Sequence, residues 1–226
     1  MQEWLETYFP NVFADLPALW QATGETLYLL VVAGIISFIL GLFFGTLLTV
    51  TQKTGIYSLP PLYQVVDKLL NLGRSIPFII LLFLLLPLSR LIMGTAIGVD
   101  GAIVPLVFGT TPFFARQIEA ALAGVGRGLI EAAQSIGMNT FEIIYRVYWR
   151  ESIASIARGT TITLINLVSL SAMAGAVGAG GLGNYAYIYG QQRNRMDIIW
   201  ATVIILVVIV TIIQIIGYLA AKRNTK

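Results

Sequence analysis

The chain has 226 residues, of which 57% are apolar and only 11% charged, and its mean hydropathy is +0.83. No soluble fold can bury that much apolar surface, so the bilayer is the solvent for part of it. There is no cysteine and no histidine, which excludes disulfides, Cys/His zinc sites, iron–sulfur clusters, His-ligated haem and the usual general base at neutral pH.

Charge is unevenly spread. The first 52 residues hold Glu3, Glu6, Asp15 and Glu25 but no Lys or Arg. A secretory signal peptide needs a basic segment before its apolar stretch, so the first apolar stretch is expected to remain as a membrane span. That stretch is the charge-free window Thr26 to Gln52, long enough to cross a hydrocarbon core of about 30 Å. The second and third windows, Ser75 to Ser89 and Gly101 to Ala115, have 15 residues each, short of the roughly 20 that a spanning helix needs. Arg90 and Arg116 can snorkel to complete them. Pro77, Pro87, Pro105 and Pro112 predict kinks in these two helices. The fourth window, Gly159 to Gln192, is expected to be helical to about Val177 and then irregular through GAGGLGNYAYIYGQQ. The fifth, Ile198 to Ala221, ends in a basic tail of Lys222, Arg223 and Lys226.

Five spans put the termini on opposite sides. With the C-terminus inside, eleven of the fourteen basic residues are cytoplasmic, and only Arg90, Arg193 and Arg195 lie outside. The positive-inside rule therefore predicts an N-out, C-in topology. The expected fold is an all-α membrane protein of five transmembrane helices, with a cytoplasmic coupling helix between the third and fourth. The whole chain, 1–226, reads as one transmembrane domain. Its largest polar insertion is the cytoplasmic loop of about 116–158, which is rich in Ala, Glu, Ile and Leu and broken by glycines.

That loop contains EAAQSIG, Glu131 to Gly137. It resembles the EAA loop of ABC importer permeases. Ala132 and Ala133 have no bulk, so another protein can approach the backbone; Gly137 permits a sharp break between two short helices; Glu131 offers a charge to a helix N-terminus or a partner. The same residues also suit an amphipathic helix lying on lipid. Trp149 and Arg150 occupy the positions where the pattern has Leu-Pro, which puts the usual proline-defined start of the next helix in question.

GAGGLG, Gly178 to Gly183, matches G-x-G-x-x-G. A dinucleotide site needs a strand before it and an acidic residue about 20 positions after it. Here the preceding segment is an apolar helix and Asp197 comes too early, so flexible backbone at a helix end is the better reading. No G-x-x-x-x-G-K-[ST] occurs, so this chain holds no P-loop for ATP. The cores of the first, fourth and fifth spans carry no ionisable side chain, which favours a partner ATPase over proton coupling. Sodium coupling through carbonyls and hydroxyls stays open.

The fourth span is polar for a membrane helix. Asn166 and Met173 fall within about 20° of each other on a helical wheel, and Ser169 about 60° from Asn166. This face suits a translocation path or gate, and equally helix–helix packing. Gly34, Gly41 and Gly45 in the first span include a G-x-x-x-G pair and read as close helix packing.

RSIPFIILLF, IVPLVFGTTPFFAR, EAAQSIG and LVSLSAMAGAVGAGGLGNYAY occur in that order. Together they resemble methionine-type ABC importer permeases, binding-protein-dependent inner-membrane components, over roughly Leu27 to Ala221. SAMAGAVGAGGLG is the most specific part. The resemblance implies a permease homodimer in the bacterial inner membrane, two P-loop ATPase subunits and an extracellular or periplasmic substrate-binding protein. It implies no cofactor in this chain, with ATP and Mg on the ATPase, and no nucleic-acid partner. It implies that Glu131, Ala132, Ala133 and Gly137 couple to the ATPase, and that Met173 lies near the gate. The chain itself is then a transport subunit rather than an enzyme, and its cargo methionine or a related amino acid. The alternatives are a permease for another small solute, or a membrane scaffold that recruits a soluble partner through the loop.

Overall fold

A computed structural model describes residues 8–224; Glu3, Glu6 and Lys226, used in the charge pattern above, lie outside the described residues. Among the described residues the regular structure is all helical, with no strand. In chain order the helices are α1 (Pro10–Ala14), α2 (Leu16–Thr51), α3 (Pro60–Ser75), α4 (Phe78–Leu84), α5 (Leu86–Met93), α6 (Gly98–Ala123), α7 (Arg127–Ser135), α8 (Thr140–Ile143), α9 (Ile153–Ala174), α10 (Gly181–Tyr185) and α11 (Met196–Arg223). Wide, π-type turns follow α8, α9 and α10 at Ile144–Trp149, Gly175–Ala179 and Ala186–Gln191.

Among the described residues four helices are long and apolar enough to cross a membrane: α2, α6, α9 with its following turn, and α11. The second charge-free window does not form such a helix. It becomes α4 and α5, together about 24 Å at 1.5 Å per residue. The join at Leu85 keeps bonds from Leu85 N–H to the Leu81 carbonyl and from Ser89 N–H to the Leu85 carbonyl. Pro87 sits in the first turn of α5, where a missing N–H is tolerated. The predicted kink is thus present here, whereas α6 runs unbroken through Pro105 and Pro112.

The fourth window also differs from expectation. The stretch after Gly180 is helical rather than irregular, forming α10 and its extension to Gln191. The break itself is narrow. Gly178, Gly180 and Gly181 adopt φ of +99°, +77° and +72°, a region that only glycine enters without steric cost.

The chain divides into two compact units. One takes the described residues up to Ile35, Pro77–Phe108 and Leu164–Ile213; the other takes Ile36–Ile76, Gly109–Thr163 and the residues from Gln214 on. The first unit has a core around Leu29, Ala33, Leu106, Leu167, Leu182 and Ile198. It is fastened at one end by Asp197, whose carboxylate accepts from the Asn11 backbone at 2.9 Å and side chain at 3.1 Å. In the second unit, Phe114, Ile118, Leu122, Ala133, Ile143 and Tyr148 form one cluster, and Leu48, Val66, Leu70 and Ala115 another. Arg116, expected to snorkel, is instead ion-paired with Asp67 at 2.5 Å and Glu119 at 2.7 Å, and donates to Asn71 at 2.9 Å. These bonds tie α3 to α6 and satisfy a charge that would otherwise be costly.

Large apolar side chains stay exposed on α2 (Val31, Ile35, Ile39, Phe43) and α11 (Val207, Val208, Ile212, Ile216). In water such faces would be a liability; in lipid they need no cover.

The glycines of α2 serve packing, as their spacing predicts. A Cβ on Gly45 would stand 2.5 Å from the Ala115 carbonyl oxygen and 2.6 Å from Ile118 Cβ, and one on Gly41 would collide with Phe114. Gly24 has open space around it. Gly45→Ala should therefore cost about 1–3 kcal/mol through overpacking, while Gly24→Ala should be neutral or gain up to ~1 kcal/mol from helix propensity. Thermal unfolding of the detergent-solubilised variants checks this: the apparent Tm should fall for the first and not for the second.

Candidate functional site

The loop around the EAA sequence is built as two helices turned about one glycine. Helix α7 ends in a Schellman motif. Gly137, at φ +80°, sits just past the helix end. Met138 N–H donates to the Ala133 carbonyl at 3.1 Å and Gly137 N–H to the Gln134 carbonyl at 3.0 Å. Two residues on, Asn139 opens α8 with a capping box. Its side chain accepts from Glu142 N–H and its own N–H donates to the Glu142 carboxylate, both at 3.0 Å. The sequence G-M-N-T-F-E thus stops one helix and starts the next within three residues.

The four coupling candidates do not share one face. Glu131, Ala132 and Gly137 are exposed, whereas Ala133 is only 5% exposed and packs into the cluster with Ile118 and Leu122. The two alanines therefore have different roles: one leaves an open outer surface, and the other lets α7 lie close on α6. Sequence reasoning missed the residues that surround the open surface. Ile136 is 77% exposed and Phe141 76%, and Leu129 and Tyr145 are each more than half exposed. Four uncovered apolar side chains on a polar loop mark a contact surface.

Where the EAA pattern has Leu-Pro, Trp149 donates its indole N–H to Thr46 Oγ1 at 3.0 Å, and Ser152 donates to the Ala121 carbonyl at 3.1 Å. The chain reaches α9 through the wide turn Ile144–Trp149 rather than through a proline break. Arg150 stands at the proline position, and the neighbouring Trp149 anchors the segment to α2.

On α9, Leu167, Val168, Ser171 and Ala174 are buried, while Asn166 is half-buried, Ser169 exposed and Met173 42% exposed. The three path candidates share the outward side of the helix, and Val177 extends it. Just beyond Met173 the backbone reverses. The glycines of GAGGLG permit this: a Cβ on Gly175 would stand 2.7 Å from both Asn184 N and the Gly180 carbonyl oxygen, and one on Gly183 would collide with Ala172. The motif is a packing device between two helical segments. Among the described residues no group of three or more His, Cys, Asp or Glu side chains could hold a metal ion.

Residues 37–226 match the family of binding-protein-dependent transport system inner membrane components. The chain belongs to this family. It is 46% identical over 205 residues to a probable D-methionine transport system permease protein of Vibrio cholerae, covering 91% of each chain. It is 44% identical over 212 residues to a methionine import system permease protein of Bacillus subtilis, covering 94% of this chain and 95% of that one. Its fold is similar to a chain of a MetNI methionine ABC transporter solved in inward-facing conformations, with a TM-score of 0.92 and 40% identity over 94% of this chain and 99% of that one. As a family member with four long apolar helices, the protein is a multi-pass component of the bacterial inner membrane.

Gly137 has open space around its Cα yet a backbone angle hostile to L side chains. Gly137→Val should loosen the loop, at a cost of about 1–3 kcal/mol, while Gly137→Asn should keep it, since Asn tolerates the left-handed region. Hydrogen exchange over Ile136–Glu142 should speed up markedly for Val and little for Asn.

Proposed function

We infer that this chain is the permease subunit of an ATP-driven importer that carries methionine into the bacterial cell. The observation that carries the reading is its likeness to methionine permeases along nearly its whole length. The chemistry agrees with it. The chain has no P-loop, so ATP and Mg belong to a separate ATPase. The exposed side of α9 around Asn166, Ser169 and Met173 is weakly polar and uncharged, which suits passage of a zwitterion with an apolar side chain. With no fixed charge there to select cargo, discrimination falls to an external binding protein.

The working assembly is a permease homodimer with two ATPase subunits and that binding protein. Met173 and its neighbours line the path at the two-fold interface; their exposure in the single chain supports this. The loop about Glu131, Ala132 and Gly137 meets the ATPase, with Ala133 supporting it from beneath. The uncovered Ile136 and Phe141 favour a protein partner over an idle turn.

The short α4–α5 pair completes a fifth crossing, and the chain runs N-out, C-in. Charge supports this count. Five crossings leave eleven of the fourteen basic residues inside, whereas the four long helices alone would leave at most eight. The chain then acts as one transmembrane domain from end to end.

Cells lacking this subunit should lose most high-affinity uptake of labelled methionine at low external concentration, and the gene should restore it. Unchanged methionine uptake with loss of another solute would replace the cargo and leave the importer standing. Orientation and docking can be read together, because the chain has no native cysteine. Ala14→Cys should react with an impermeant maleimide in whole cells and Gln134→Cys should not. In solubilised protein, Gln134→Cys should react freely in the permease alone and several-fold more slowly once the ATPase is bound. External labelling of Gln134→Cys would reverse the topology.

A further inference from the structure

The reversal that follows Met173 is held by another part of the chain. Glu25 accepts a hydrogen bond from Gly181 N–H at 2.7 Å, and Thr26 Oγ1 accepts one from Leu182 N–H at 2.8 Å. Both acceptors lie 156 residues earlier in sequence, side by side on α2. Each is itself braced. Gln21 donates its side-chain amide to the other Glu25 oxygen at 2.9 Å, and the Thr26 hydroxyl donates to the Ala22 carbonyl at 3.0 Å. Thr26, Gly180, Gly181 and Leu182 are all buried, so the two amides have these side chains in place of water.

The fit is close on every side. A Cβ on Gly180 would stand 2.7 Å from Val99 Cγ2 and 2.8 Å from the Glu25 carboxylate, and one on Gly181 would stand 2.7 Å from Thr26 Oγ1. The far side of the reversal presses on the end of α9, Gly183 against Ala172 and Gly175 against Gly180 and Asn184. Met173 lies between those contacts. A shift of Gly181–Leu182 relative to α2 must therefore move the backbone on both sides of Met173.

We propose that Glu25 and Thr26 form a latch on α2 that positions the Met173 end of α9, making the first long helix part of the gate. This deepens the import reading above and rests on it. Neither residue falls within the segment 37–226 that matches the family. They are positioning residues, acting on the path through the glycine backbone. Glutamine retains an oxygen acceptor at position 25, so the latch requires geometry rather than charge.

The test uses the complete transporter, permease with its ATPase and binding protein, reconstituted in proteoliposomes. Three permeases are compared with the parent: Glu25→Gln, Glu25→Ala, and Glu25→Ala combined with Thr26→Val. Removing a charge-assisted hydrogen bond should speed amide exchange at Gly181 and Leu182 by about tenfold or more. In both Ala-containing variants methionine uptake should fall by a similar factor, while ATP hydrolysis stays within about twofold of the parent. Glu25→Gln should match the parent in exchange and uptake. The latch is overturned by unchanged exchange, by faster exchange with normal uptake, by a Gln variant as defective as Ala, or by hydrolysis lost in step with uptake. A parent complex that fails to import methionine counts against the import reading alone. The latch is then judged by thiol labelling of Met173→Cys, whose rate must change several-fold on adding Glu25→Ala and not on adding Glu25→Gln; equal rates would reject it.

Discussion

A chain that leaves a helix among buried side chains frees amides that have no water to bond, and each such amide costs free energy until it finds a partner. At the end of α9 this constraint is met from α2. Glu25 and Thr26 take the amides of Gly181 and Leu182, and the left-handed glycines turn those amides toward them. The rest of that unit follows from this arrangement. The reversal can be tight because its ends need no solvent, and α10 can start in the interior because its first amides are already bonded. Helix α9 can then end at Ala174 and its following turn instead of running on through the apolar window that the sequence offers.

The second unit meets a related constraint by other means. Arg116 is a charge on a largely apolar helix, and Asp67 and Asn71 of α3 and Glu119 of its own helix bond it. The network fixes α3 against α6 beneath the EAA loop. Gly45 and Ala115 bring α2 and α6 to backbone contact, and Trp149 bonds Thr46 one residue further along α2. The loop therefore stands on helices joined by small residues and by the ion pairs of Arg116. On the proposed coupling reading, a force applied at Ala132 or Ile136 would be passed to these packed helices rather than absorbed by the loop.

Much of this was legible in the sequence for identifiable reasons. Hydropathy located the four long helices, because a lipid-facing helix needs apolar residues on all sides. EAAQSIG located the turn between α7 and α8, because glycine is the least costly residue at a left-handed helix end. The G-x-x-x-G pair marked a close helix contact on α2, whose partner, α6, only the structure names. What stayed hidden depends on partners distant in sequence. Nothing local to Glu25 says that its acceptor faces Gly181. A charge-free search begins at Thr26 and treats Glu25 as mere flank, although the helix extends to Leu16. The helical character of Tyr185–Gln191 was likewise masked by three glycines, whose breaking effect ends at Gly181 once the caps are in place. The opposite directions of Ala132 and Ala133 follow from helical rotation, but which of them faces inward is set by α6.

The single chain leaves two kinds of surface uncovered, and they differ in chemistry. On α2 and α11 the exposed residues include many large aliphatic and aromatic side chains, such as Ile39, Phe43, Val207 and Ile216, and lipid satisfies them. On the EAA loop the exposed Ile136 and Phe141 stand among Glu131, Gln134, Ser135 and Asn139. Hydrocarbon would strand those polar groups, while water alone would leave the apolar ones bare. A folded partner with both an apolar pocket and polar rim groups satisfies the whole set. The weakly polar side of α9 falls between these cases. Asn166 and Ser169 are costly in lipid yet carry no charge to fix a ligand. Such a face is stable against another polypeptide or around a transient zwitterion. On the proposed reading the uncovered surfaces differ in what would cover them: lipid for the outer helices, a partner protein for the loop, and cargo or a second permease for α9.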